Sequence, residues 1–169
     1  MSARHVSWFL LGACVCLLPL SGMSKGTYPG DYTSEIVAQG LGQPSGVSIH
    51  PATGDIYIVE RQPPRVSVLK NGRPTPVIEQ NWTVPPEWVP NWAVTEEMPK
   101  EKWTESKLSN PGALAVASNG TIYVAEEVPG GRILEFAPEA DGSYQKARPV
   151  VIPWLERPFT WRDVDVDME

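Results

Sequence analysis

The chain has 169 residues, with 14 Lys+Arg, 20 Asp+Glu and two His, for a formal net charge of -6. Hydrophobic residues are 41% and charged residues 20%, close to the globular average, which excludes a disordered tail and a polytopic membrane protein. The acidic balance argues against a nucleic-acid partner, and 18 Pro with 14 Gly suit short strands and turns better than long helices.

Arg4 and His5 are followed by an uncharged run from Val6 to Leu20 and then by Ser21, Gly22 and Ser24. This is the pattern of a secretory signal peptide, assigned to residues 1–24. The run is shorter than the ~20 residues a spanning helix needs, and Pro19 sits near its end. The expectation is export, to a secreted or periplasmic location, with no membrane association after cleavage. An uncleaved anchor and a lipidated Cys14 are the alternatives. Cys14 and Cys16 both lie inside the segment, so residues 25–169 have no thiol and, with Arg4 removed, carry 13 basic against 20 acidic residues, or -7. Such a chain is held by core packing or a bound metal, not by disulfides.

Past a leading strand expected at Glu35–Ala38, the chain repeats itself. Leu41-Gly-Gln-Pro44-Ser-Gly-Val47-Ser-Ile49 has the frame of Leu108-Ser-Asn-Pro111-Gly-Ala-Leu114-Ala-Val116. Gly54-Asp-Ile-Tyr-Ile-Val-Glu60 then matches Gly120-Thr-Ile-Tyr-Val-Ala-Glu126, and Arg65-Val66 matches Arg132-Ile133. Identity at the punctuating positions as well as the apolar ones marks tandem structural units. The first unit predicts strands over 46–50, 55–60, 65–70 and 75–79, with an Asn71-Gly72 hairpin; the second predicts 113–117, 121–126, 132–136 and 148–152. A third frame opens at Leu155-Glu-Arg-Pro158.

Ile56–Val59 and Ile122–Ala125 are apolar at every position or nearly so, where alternation would mark a strand with one wet face. Tandem four-stranded antiparallel sheets covered on both faces are what β-propeller blades require. The fold class is therefore all-β, an incomplete ring of about two blades plus flanking strands over residues 25–169. At ~40 to 50 residues per blade this is too short to close. Outer faces carrying Ile49, Ile58, Val116 and Val124 would be left wet, so the expectation is the N-terminal part of a longer chain, or a ring built from several copies.

These frames resemble NHL repeats and, more broadly, the gluconolactonase-like six-bladed propellers. That resemblance implies a propeller whose relatives serve as protein-binding scaffolds, lactone hydrolases or lyases, some with calcium near the axis. In the resembling enzymes the residue after the Leu-x-x-Pro proline is often Asn or Asp, and some of these supply a metal-facing oxygen. Here those positions hold Ser45, Gly112 and Phe159, a departure from the pattern.

A Trp/Pro-rich insertion at 80–106 carries Trp82, Trp88, Trp92 and Trp103 among Pro85, Pro86, Pro90 and Pro99. The rings can form a sugar-stacking or peptide-binding platform, or they can anchor the loop to the body; anchoring is preferred, because a loop this long must bury something to be ordered. Lys100–Lys107 predicts one or two helical turns. Glu60 with Arg65, and Glu126 with Arg132, read as ion pairs between second and third strands, because a catalytic group is needed once and not in every blade. His50 is expected to cap the first strand. Asp163, Asp165, Asp167 and Glu169 alternate with apolar residues and so share a strand face; a calcium ion can offset their repulsion, with Asp163 as the candidate ligand, but a solvated or neutralised strand face is preferred, because a metal site needs ligands from several blades. Two functions follow: an exported recognition or scaffold module for a small molecule or protein partner, or a metal-assisted hydrolase or lyase working at the propeller axis.

Overall fold

A computed structural model describes residues 35–152 and 164. The signal segment 1–24, the third frame from Leu155, and the carboxylates Asp163, Asp165, Asp167 and Glu169 lie outside the described residues. All the elements fall in the compact unit that begins at Val37.

Strands β1 (Pro44–Ile49), β2 (Ile56–Arg61), β3 (Pro64–Lys70) and β4 (Arg73–Ile78) form one antiparallel sheet in sequential order. Strands β5 (Pro111–Val116), β6 (Ile122–Glu126), β7 (Ile133–Phe136) and β8 (Arg148–Val150) form a second with the same order. Every expected strand of the two units is present, with ends shifted by up to two residues. The β3–β4 link is the two-residue hairpin read from Asn71-Gly72: their φ values, 53° and 74°, are both left-handed, as the primed turn that matches strand twist demands. The β2–β3 link runs through Gln62 and Pro63, whose peptide bond is cis.

The repeated Leu-x-x-Pro frame has a structural meaning. Gln43 and Asn110, the residues before the prolines, are left-handed at φ 54° and 47°. Their carbonyls accept the Arg61 N–H at 3.1 Å and the Glu127 N–H at 3.0 Å. The register then slips between Pro44 and Gly46, and between Pro111 and Ala113. Each frame is thus a tight entry followed by a bulge, and bulges bend a strand and raise its twist.

The two sheets stack in a head-to-tail sense. Val59, Val66 and Ile78 of the first share a core with Leu114, Val116, Val124, Leu134 and Phe136 of the second. Gly46 permits the approach of β1 to β5: a Cβ there would stand 3.1 Å from Ala113 Cα, from the Gly112 carbonyl oxygen and from Val59. The opposite face of the second sheet, Ala113, Ala125 and Ile133, packs with Val150 and Val164.

Four residues were expected on wet outer faces, and only Ile49 is. Ile58, Val116 and Val124 are buried, because Val116 and Val124 lie in the layer between the sheets and Ile58 sits mid-sheet between its partners Val47 and Ser67. Val47 and Ile49 are 65% and 62% exposed, whereas their repeat partners Leu114 and Val116 are 5% and 4% exposed. The leading segment Glu35–Ala38 is not a strand. A β pattern becomes a strand only on a sheet edge, and both four-stranded sheets complete themselves from their own units.

Candidate functional site

The insertion wraps the second sheet. Thr83 bridges in parallel to Lys146, with its N–H donating to the Gln145 carbonyl at 2.9 Å and its carbonyl accepting the Ala147 N–H at 2.8 Å. Two successive Pro-x-Trp-apolar tetrads follow, Pro86-Glu-Trp88-Val89 and Pro90-Asn-Trp92-Ala93, forming 3-10 turns over Pro86–Trp88 and Asn91–Ala93. Each tetrad buries its last residue, Val89 or Ala93. Helix α1 (Lys100–Trp103) is a single turn, the shorter of the two expected lengths.

The four tryptophans do not form one platform. Trp82 and Trp103 are 2% and 1% exposed, inside the core. Trp82 meets Phe136 edge to face at 5.1 Å, and the Trp103 indole donates to the Ala93 carbonyl at 3.0 Å. These two are anchors, for the reason that rings of this size gain most when buried with the indole N–H satisfied. Trp88 and Trp92 remain toward solvent, Trp88 half-buried and Trp92 56% exposed.

Around Trp88 the structure assembles groups that the sequence reading passed over. The Arg148 guanidinium lies 5.1 Å from the Trp88 ring centroid, a cation–π contact. Glu135 pairs in register with both Arg148 and Tyr123, and its carboxylate is 4.0 Å from Arg148. Lys146 and Glu139 stand 4.0 Å apart. Together with Ala137 and Pro138 they line a cavity of about 100 Å³. Burial raises the Tyr123 phenol above its ordinary value, the Glu135 carboxylate adds to the rise and Arg148 opposes it. The alternation of Ile133-Leu134-Glu135-Phe136 was the available signal, since it puts Glu135 on the opposite face from Leu134 and Phe136.

The recurring Glu–Arg pairs bridge second and third strands in both sheets, as expected, and also bind the entry of each unit. Glu60 accepts from Arg65 at 2.8 and 3.1 Å, from Ser67 Oγ at 2.7 Å and from the Gly42 N–H at 2.7 Å. Burial alone pushes the Glu60 carboxyl up, but these donors outweigh it and hold the group below its ordinary value. Glu126 accepts from Arg132 at 2.7 and 2.9 Å and from the Ser109 N–H at 2.9 Å. Arg132 further reaches the carbonyls of Lys102, Trp103, Glu105 and Lys107, at 2.7 to 3.3 Å, tying the insertion to the blade.

Between the sheets, Arg61 forms an ion pair with Glu127, and its Nε donates to the Pro111 carbonyl at 3.3 Å. Ser45 Oγ donates to the same carbonyl at 2.7 Å, and a Cβ on Gly112 would lie 2.9 Å from Glu127 Cβ. Ser45, after the first proline, is therefore occupied in blade-to-blade contact, whereas Gly112, after the second, is packed under Glu127 of its own blade. Arg61 and Glu127 are repeat-equivalent positions of opposite charge, a signal legible in the aligned frames. His50 is buried, and its Nδ1 accepts the N–H groups of Ala52 and Thr53 at 3.1 and 3.3 Å, closing the turn after β1. Among the described residues no group of three or more His, Cys, Asp or Glu side chains is placed to hold a metal ion. Asp163 lies outside them.

No family model matches the chain, and no curated protein matches it. Among solved structures, a PQQ-bound aldose sugar dehydrogenase from Streptomyces coelicolor is similar over 68% of this chain and 31% of that one, at 18% identity and a TM-score of 0.45. The chain thus spans less than a third of that protein. The class is defined by the architecture described above: an all-β chain of tandem four-stranded antiparallel sheets of β-propeller blade type.

Proposed function

We propose that this chain is an exported, NHL-like β-propeller recognition module that engages a small molecule or a protein partner through the outer surface of its insertion. One observation carries the reading. The duplicated Pro-x-Trp-apolar turn sinks Val89 and Ala93 while leaving Trp92 56% exposed on an ordered element. Large aromatics kept at the surface of a well-anchored segment are the usual hot spots of recognition. The buried Glu–Arg pairs, being repeated in both blades, serve the scaffold and leave the insertion as the unrepeated element.

The test is the accessibility of Trp92 to acrylamide, taken as the difference in fluorescence quenching between the wild-type chain and Trp92→Phe. A partner in extracellular fractions of the source organism is expected to shield Trp92. Unchanged accessibility in every fraction, with the fold intact by circular dichroism, would overturn the reading.

A further inference from the structure

We propose that the cavity beside Trp88 binds one ring of a neutral saccharide. This inference rests on the recognition reading and deepens it by naming the ligand class.

Size comes first. At about 100 Å³ the cavity is well below the roughly 300 to 1,000 Å³ of sites that enclose a drug-sized ligand, so it takes one ring or one side chain. Charge comes second. Glu135 and Glu139 face Lys146 and Arg148, two carboxylates and two cations, with no net charge to attract an ion of either sign. An anion entering would meet both carboxylates, a cation would meet both basic groups, and a wholly apolar group would strip water from four charges without replacing it. A hydroxyl both donates and accepts. Sugar hydroxyls can therefore donate to the carboxylates and accept from the ammonium and guanidinium.

The ion pairs are loose enough to allow this. Both are 4.0 Å apart, beyond hydrogen-bond length, so their donors and acceptors are not spent on each other. The indole and Pro138 supply the apolar wall for the C–H face of the ring. Trp88 is held in place by its own turn, with its backbone N–H donating to the Pro85 carbonyl at 2.9 Å and Val89 buried behind it.

The experiment applies the full chain to an array of neutral, uronate-containing and sulfated oligosaccharides. The best neutral binder is then titrated by calorimetry at low and high salt. Binding of a neutral glycan is expected, changed less than about twofold by salt, weakened at least about tenfold by Arg148→Ala, the scale of losing one hydrogen bond to a charged group, and weakened also by Trp88→Ala, which removes the apolar wall. Because the Arg148 side chain is 58% exposed, Arg148→Ala keeps the test valid if Trp88→Ala fails to fold. Binding confined to acidic glycans, an array with no neutral binder, or full affinity in the folded Arg148→Ala variant would each sink the saccharide assignment. Shielding of Trp92 by a protein in the presence of an empty array would sink it while leaving the recognition reading in place.

Discussion

Replacing Arg132 by Met isolates what one buried guanidinium does. Its side chain and that of Glu126 are 2% and 3% exposed, so the substitution leaves a carboxylate inside the protein whose donors, among the described residues, are the backbone N–H groups of Ser109, at 2.9 Å, and of residue 132, at 3.1 Å. Orphaning one member of a buried pair costs about 3 to 5 kcal/mol. Four carbonyls over residues 102–107 lose this donor as well, and each that cannot regain water adds about 1 to 3 kcal/mol, not additively. The repeat supplies a control. Arg65 is 19% exposed and touches no carbonyl of the insertion, and after Arg65→Met the carboxylate of Glu60 keeps both Ser67 Oγ and the Gly42 N–H. That loss should be about 1.5 to 3 kcal/mol, the range for a hydrogen bond to a charged group. Urea unfolding followed by tryptophan fluorescence would compare the two midpoints, and limited proteolysis would locate the damage. Arg132→Met is expected to be the less stable by at least about 1.5 kcal/mol and to be cut first within residues 80–107. Equal midpoints with the insertion uncut would refute the claim that Arg132 fastens it.

Three further outcomes are expected. Leu114→Ala should cost about 2 to 5 kcal/mol because the residue lies between the sheets, and Ile49→Ala under about 1 kcal/mol because it is exposed; equal losses in denaturant melts would contradict the asymmetric burial of repeat partners. Because Glu60 titrates below its ordinary value in the fold, its stabilisation is present above the unfolded pKa of about 4.3 and is lost as pH falls through the folded value. Glu60→Gln should therefore flatten the acid limb of a stability–pH curve, and an unaltered limb would mean the group does not drive it. In thermal scans the recognition reading expects no response to a chelator, whereas a fall restored by calcium and absent in Asp163→Asn would favour the metal-assisted alternative.

The blade plan was legible because it is local. Strand periodicity, the Asn71-Gly72 turn and the Leu-x-x-Pro entries act over a few residues, and identical signals at Gly54 and Gly120, Glu60 and Glu126, Arg65 and Arg132 announced the same unit twice. The Glu–Arg pairs followed from that repetition, since their spacing is set by one hairpin. The division of labour among the tryptophans was not legible: all four sit in similar Pro-rich surroundings, and only the docking of the insertion on the second sheet selected Trp82 and Trp103 for the core and left Trp88 and Trp92 toward water. The same holds for Val47 and Ile49 against Leu114 and Val116, which are equivalent in the repeat yet opposite in exposure. Hydrophobic pattern states which residues gain from leaving water, but which face finds a partner depends on contacts between segments far apart in the chain. The cavity beside Trp88 is of that kind, being closed by a loop at 88 and a hairpin at 135–148 that share no local signal.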